Sequence, residues 1–179
     1  SKAKTFARQW NVRLGKGSAD VVRSSDIILL AVKPQDLFEA AEEFQGAFSS
    51  RHVVITILAG TPIAKVRRAV GPWPAIVRAM PNLGAQVGAA ITAITGNRTR
   101  AVKAAETIFS SCGVTVRLSE KYFDLVTAIS GSGPAYFFLL MELLAKEAKA
   151  HGLSESTARK LAVETAVGAG LLARRSKLS

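Results

Sequence analysis

The feature that most constrains the fold is a repeated order of short apolar runs and helix-like segments in the first half of the chain. Residues 26–32 form an apolar run, and after a short loop a helical pattern occupies residues 36–44. Residues 52–58 and 62–70 repeat this order. Runs that are apolar at consecutive positions are typical of parallel strands covered by helices on both faces. The pattern therefore predicts an α/β sheet with crossover helices.

A ligand site is expected at one edge of this predicted sheet. A third strand is predicted over residues 75–79, and the loops after the three strands contain residues 31–34, 58–60 and 80–82. The carboxyl ends of parallel strands meet at one edge of the sheet, where α/β proteins bind their ligands. Taken alone, the same loops are explained equally well as ordinary turns, because every α/β protein has them.

The chain becomes entirely helical after a predicted domain boundary at residues 118 and 119. A helix predicted over residues 134–150 is apolar nearly all round in its first half. Such a helix must be covered by neighbours, and this chain scarcely supplies them. We therefore expect it to pack against a second subunit.

Small residues precede this helix. Ser130, Gly131, Ser132 and Gly133 stand directly before Pro134. Small residues allow close backbone approach, and the first amides of a helix point outward, so the segment could seat a carboxylate or a carbonyl oxygen. A flexible joint between helices explains it equally well.

Composition excludes several classes of protein. Hydrophobic residues make up 49% and charged residues 21% of the 179 residues, as in soluble globular proteins. The apolar run over residues 134–141 is shorter than the roughly 20 residues of a membrane span. The net charge of +11 is spread along the chain without a nucleic-acid-binding motif. A lone cysteine, Cys112, and two isolated histidines predict neither a disulfide nor a metal site. We expect no membrane or nucleic-acid partner.

Three segments, in the correct order, resemble the pyrroline-5-carboxylate reductase family. They are AVKP at 31–34, RAMPN at 78–82 and FDLVTAISGSGPAY at 123–136, and the similarity extends over residues 1–172. The resemblance implies a partial Rossmann-like NAD(P)-binding domain over residues 1–118 and a helical dimerisation domain over residues 119–179. It also implies hydride transfer from NADPH or NADH, with NADPH favoured, to the imine carbon of 1-pyrroline-5-carboxylate, which yields L-proline. The expected location is the cytoplasm, or the mitochondrion in a eukaryotic host.

The resemblance also assigns residues to the site. Contacts with the dinucleotide are implied for Ser1, Ala31, Val32, Lys33, Pro34, Ala59, Gly60 and Asn82. Contacts with the substrate are implied for Glu120, Ser130, Gly131, Ser132 and Gly133. On residue type alone, Glu120 and Asp124 are more often helix caps than catalytic groups. Family members pair through their C-terminal helices, so a homodimer or a higher homo-oligomer is expected.

The sequence also departs from the family pattern. The family's first strand and Gly-x-Gly-x-x-Gly turn are absent, and so is a Ser-Pro-Gly-Gly-Thr segment that follows the last helix. No catalytic residue is assigned for that reason. Leu83-Gly84 stands where the family has Thr-Pro. We expect an unpaired edge on the strand at residues 26–32 and an inactive isolated chain. The alternatives are a non-catalytic protein that acts by subunit association, and a reductase of similar architecture such as a 3-hydroxyacid dehydrogenase.

Overall fold

Five strands form one sheet in the first of two units into which the chain divides. The computed structural model describes residues 2–176, and the first unit ends at Thr127. In chain order, which is also their order in the sheet, the strands are β1 (Ile27–Leu30), β2 (Val53–Thr56), β3 (Ala75–Met80), β4 (Ala90–Gly96) and β5 (Gly113–Arg117). The β3–β4 pair is antiparallel and the other three pairs are parallel. The predicted α/β fold is confirmed.

Helices and short turns connect these strands. The helices of the first unit are α1 (Lys2–Gln9), α2 (Ser18–Arg23), α3 (Leu37–Glu42), α4 (Ile63–Val70), α5 (Thr99–Ser110) and α6 (Phe123–Val126). The 3-10 turns are Pro34–Asp36, Leu83–Val87 and Glu120–Tyr122. The domain boundary placed after residue 118 stays a prediction.

Two apolar clusters hold the helices on the sheet. Val54 of β2 and Ile76 of β3 pack with Val66 of α4 in the first cluster. Their sequence neighbours Ile55 and Val77 point to the other face and belong to the second cluster, which includes α5. This alternation follows from the two-residue period of a strand. The branched side chains at these positions favour the extended conformation.

Strand β1 is covered on one face only. Ile28 and Leu30 are buried, whereas Ile27 is 41% and Leu29 is 50% exposed. The prediction that helices cover both faces of this strand is therefore wrong for the part of the chain that the structure describes. In these residues β1 pairs with β2 alone and forms the edge of the sheet.

His52 is a buried structural residue at the start of β2. Its Nδ1 accepts a hydrogen bond from the main-chain N–H of Ser49 at 2.8 Å. Its Nε2 lies 3.1 Å from the carbonyl oxygen of Val22. A carbonyl only accepts, so Nε2 donates and the ring is the neutral Nε2-H tautomer. The ring thus joins the end of α2 to the loop before β2.

The second unit, from Ala128 onward, is helical. Its helices are α7 (Gly133–Ala150) and α8 (Glu155–Arg175). The Ser154 hydroxyl accepts a hydrogen bond from the N–H of Thr157 and caps α8. Ala158 and Ala162 are buried, but most large side chains of α7 are exposed.

The helical run Glu120–Ala150 is long and apolar enough to cross a membrane. The apolar run seen in the sequence, residues 134–141, is only part of it. The small residues before α7 are helical as well and lengthen the run. One such helix is weak evidence for a membrane span, because a helix that packs against another subunit has the same composition.

Candidate functional site

The candidate site is built from the carboxyl ends of the first three strands. Leu30, Thr56 and Arg78 lie at matching positions of β1, β2 and β3, which run parallel. The N–H of Ile57 continues this pairing by donating to the carbonyl oxygen of Leu30. The three following loops therefore leave the sheet from the same edge, as predicted.

The first of these loops is the predicted cofactor segment at residues 31–34. Ala31, Val32 and Lys33 are exposed, and Pro34 is partly buried. Lys33 is extended and precedes the 3-10 turn Pro34–Asp36, where its carbonyl oxygen accepts from the N–H of Asp36. The loop thus presents main chain, small apolar surface and one ammonium group to a ligand.

The second loop is the turn between β2 and α4. Ala59 and Gly60 are exposed, and Gly60 has a φ of +62°, a conformation that favours glycine. A Cβ atom on Gly60 would meet no described heavy atom within 4 Å. The turn is therefore small and open, which suits the close approach of a flat ring or a phosphate.

Two buried threonines stabilise this turn by hydrogen bonds to its main chain. The Thr56 hydroxyl accepts from the N–H of Leu58 at 3.3 Å, and the Thr61 hydroxyl donates to the carbonyl oxygen of Ala59 at 3.2 Å. Both threonines are fully buried. No sequence pattern marks these threonines as part of the site, because a threonine near a strand end has no distinctive spacing.

The third loop carries Asn82 after β3. The Oδ1 atom of Asn82 accepts from the N–H of Gly84 at 3.1 Å, so the side chain presents its NH₂ group as a donor. A Cβ on Gly84 would lie 2.5 Å from the carbonyl oxygen of Ala89, so glycine is required. Proline, which the family has at this position, has no N–H and could not make this bond.

Arg78, two residues before the end of β3, is a buried charge that the sequence analysis did not assign to the site. Its side chain is 4% exposed, and Nη1 lies 3.3 Å from Oε1 of Glu120. Nη2 lies 4.0 Å from Oδ1 of Asp124, and the guanidinium stacks 4.7 Å from the ring centre of Phe123. An arginine inside an otherwise apolar strand is the signal that could have revealed it, because a buried charge needs a partner.

Glu120, a predicted substrate residue, has two partners inside the first unit. Its Oε1 accepts from the main-chain N–H of Ile63, the first residue of α4, at 2.7 Å and also faces Arg78. The carboxylate therefore caps α4. Residue type alone favoured this capping role over a catalytic one. The Glu120 side chain is still 37% exposed, so part of it faces solvent.

The remaining predicted substrate residues lie in the second unit. Ser130 and Gly131 belong to a π-helical turn, Thr127–Gly131, which makes this segment helical rather than an open joint. Ser132 is the N-cap of α7 and Gly133 is its first residue. The hydroxyl of Tyr136 donates to the carbonyl oxygen of Ala128 and fixes the turn. The predicted contact at Ser1 lies outside the described residues.

Two protein families match parts of the chain. Residues 120–179 match the family described as pyrroline-5-carboxylate reductase dimerisation. Residues 1–60 match the family described as NADP oxidoreductase, coenzyme F420-dependent. The two matches lie at opposite ends of the chain, in the order that the resemblance implied.

Known pyrroline-5-carboxylate reductases resemble nearly the whole chain. A curated relative from Methanosarcina acetivorans is 36% identical over 95% of this chain, which spans 64% of the length of that relative. The reductase structure from Coxiella burnetii is 31% identical, with a TM-score of 0.89, over 99% of this chain and 68% of that one. The Plasmodium falciparum enzyme with NADP bound is 31% identical, with a TM-score of 0.86, over 93% of this chain and 64% of that one.

Identity and fold agree over the same residues, so the resemblance seen in the three sequence segments is confirmed. The first unit corresponds to a nucleotide-binding Rossmann-like domain and the helical region to the dimerisation domain. The chain belongs to the pyrroline-5-carboxylate reductase family.

Proposed function

We propose that the protein acts as a pyrroline-5-carboxylate reductase in proline biosynthesis. The observation that carries this proposal is the open edge formed by the loops after β1, β2 and β3, in a chain of this family. The reaction is the reduction of the C=N bond of 1-pyrroline-5-carboxylate to L-proline. A bound NADPH or NADH supplies the hydride.

The cofactor residues are Ala31, Val32, Lys33, Pro34, Ala59, Gly60 and Asn82. The fit of a dinucleotide is supported by the exposed small residues of the β2–α4 turn and by the open space at Gly60. Asn82 offers an NH₂ donor to a carbonyl acceptor such as the nicotinamide carboxamide. The exposed ammonium of Lys33 favours the additional phosphate of NADPH.

The substrate residues are Glu120, Ser130, Gly131, Ser132 and Gly133. The four small residues end a π-turn and begin α7, an 18-residue helix whose first amides suit a carboxylate. For the reduction, these groups bind and orient the substrate, since hydride transfer requires donor and acceptor carbons held in contact.

The partner is a second copy of the chain. Residues 120–179 match a dimerisation family, and α7 exposes large apolar side chains over residues 136–144. The proposed location is the cytoplasm, where a soluble biosynthetic enzyme meets its substrate.

The decisive experiment measures oxidation of NADPH and NADH by the purified protein in the presence of 1-pyrroline-5-carboxylate, with proline identified as the product. Turnover that is faster with NADPH supports the proposal. Cofactor-independent association with a complete subunit, without turnover or NADPH binding, would instead support the alternative function of association without catalysis. The exposed α7 face is the observation that favours that alternative.

A charge substitution tests the cofactor residues separately. Lys33→Ala should raise the KM for NADPH about tenfold more than the KM for NADH, because one ion pair with a phosphate is lost. Lys103→Ala, which removes another exposed lysine, on α5, is the matched control and should change neither value. Equal effects of Lys33→Ala on both cofactors would exclude a contact with the extra phosphate.

A further inference from the structure

A partly buried ion pair connects two of the candidate cofactor loops. Arg78 lies at the carboxyl end of β3, four residues before Asn82. Glu120, its partner at 3.3 Å, accepts the N–H of Ile63, three residues after Gly60. Oε1 of Glu120 thus contacts both β3, which leads to Asn82, and α4, which follows the Ala59–Gly60 turn.

The geometry around Arg78 leaves the guanidinium little freedom. The side chain is 4% exposed, and its Cζ lies over the ring of Phe123, which is fully buried, at 4.7 Å from the ring centre. Arg78 also pairs with Thr56 across β2 and β3, and the hydroxyl of Thr56 holds the N–H of Leu58 in the same turn. Asp124 is 93% exposed at 4.0 Å and contributes little, because water screens such a pair.

We propose that Arg78 and Glu120 are positioning residues that fix the Ala59–Gly60 turn relative to Asn82. This inference rests on the proposed function, because it assigns the pair the task of keeping the dinucleotide surface in one conformation. Arg78 is buried and acts on the cofactor surface only through its contact with Glu120, which in turn binds the first amide of α4. The effect of the pair on cofactor binding is therefore indirect, and it reaches the turn through the first amide of α4.

The first variant is Arg78→Met. Methionine fills a similar apolar volume, and the partly exposed Glu120 can remain hydrated when its partner is lost. The Ala59–Gly60 turn should then loosen, and the Kd for NADPH should rise about tenfold, since small displacements of positioning groups weaken binding strongly. Arg78→Lys keeps the charge without the planar fork and should restore part of the affinity. Glu120→Gln removes the charge but keeps an oxygen for Ile63.

Two measurements follow each variant. Hydrogen exchange of the amides in residues 58–66 reports the order of the turn, and a fluorescence titration gives the Kd for NADPH. Arg67→Met is the matched control, because it removes a second arginine, which lies on α4 and donates to the carbonyl oxygens of Pro72 and Pro74 instead of to Glu120. It should lower the Tm without raising the Kd or the exchange of the turn.

The outcomes separate this inference from the proposed function. Faster exchange at residues 58–66 and weaker NADPH binding in Arg78→Met, with partial rescue in Arg78→Lys and a smaller effect in Glu120→Gln, support it. Unchanged exchange and Kd in folded Arg78→Met, or an equal loss of affinity in Arg67→Met, would refute this inference while the proposed function stands. Failure of the unsubstituted protein to bind NADPH would refute the proposed function and this inference with it.

Discussion

Replacing Leu140 with glutamate should convert a dimer of this protein into a monomer. Leu140 lies in the middle of α7, and its side chain is 52% exposed. Its neighbours one helical turn away, Tyr136, Phe137, Leu143 and Leu144, are 48–63% exposed. A surface of this kind is typical of a helix that packs against another subunit. The substitution places a carboxylate at the centre of that surface.

The size of the effect follows from the exposure of these side chains. Seven large apolar residues of α7 are 48–63% exposed: Tyr136, Phe137, Phe138, Leu139, Leu140, Leu143 and Leu144. Complete burial of such a side chain contributes about 1.5–3 kcal/mol, so covering the exposed half contributes about 1 kcal/mol each. Two copies would gain about 14 kcal/mol, against an association cost of about 4–15 kcal/mol.

Glutamate at position 140 removes the contribution of Leu140, about 1 kcal/mol in each copy, and buries two unpaired carboxylates. The desolvation of each charge costs several kcal/mol, so the dimer Kd should rise by at least about a thousandfold. Sedimentation velocity over a concentration series measures this directly. Thr107→Glu, which adds the same charge on the exposed side of α5, is the control and should remain dimeric.

Two results would contradict the role of α7 in the dimer interface. If the unsubstituted protein is monomeric at every concentration, α7 does not form the interface. If Leu140→Glu keeps the mass of a dimer, the centre of the interface lies elsewhere. Circular dichroism of each variant shows whether the helices are intact.

Three further predictions concern the first unit. Gly84→Ala should lower stability by about 1–3 kcal/mol and weaken NADPH binding, because its Cβ would lie 2.5 Å from the Ala89 carbonyl oxygen; denaturation and titration check this. His52→Leu leaves the part-buried N–H of Ser49 without its acceptor, whereas the Val22 carbonyl keeps the N–H of Ser25; the cost should be about 1–3 kcal/mol in urea unfolding, and a smaller loss would mean that water reaches the Ser49 N–H. Hydrogen bonding to Arg117 lowers the pKa of Glu106, so its contribution to stability is present above the unfolded pKa and is lost as the pH falls through the folded pKa. The stability difference from Glu106→Gln should therefore vanish in acid, and a difference independent of pH would exclude this ion pair.

The local features of the fold could be predicted from the sequence. Runs of consecutive apolar residues predicted the strands β1 and β2, and a third strand was predicted where β3 lies. The loops at residues 31–34, 58–60 and 80–82 could be placed at one edge because parallel strands share a direction. These features depend on residues close together in the chain, and side-chain periodicity reports such neighbours directly.

The α/β class, the family and the loops of the candidate site can be identified from the amino-acid sequence alone. Which side chains lie behind those loops depends on how the strands and helices pack. Arg78 and Glu120 are 42 positions apart, and their contact requires the register of β3 beside β2 and the return of the chain to the start of α4. The antiparallel direction of β4 and the exposed face of β1 are likewise properties of the folded sheet. No local pattern records such pairings, because their free energy comes from contacts that exist only after the chain has folded.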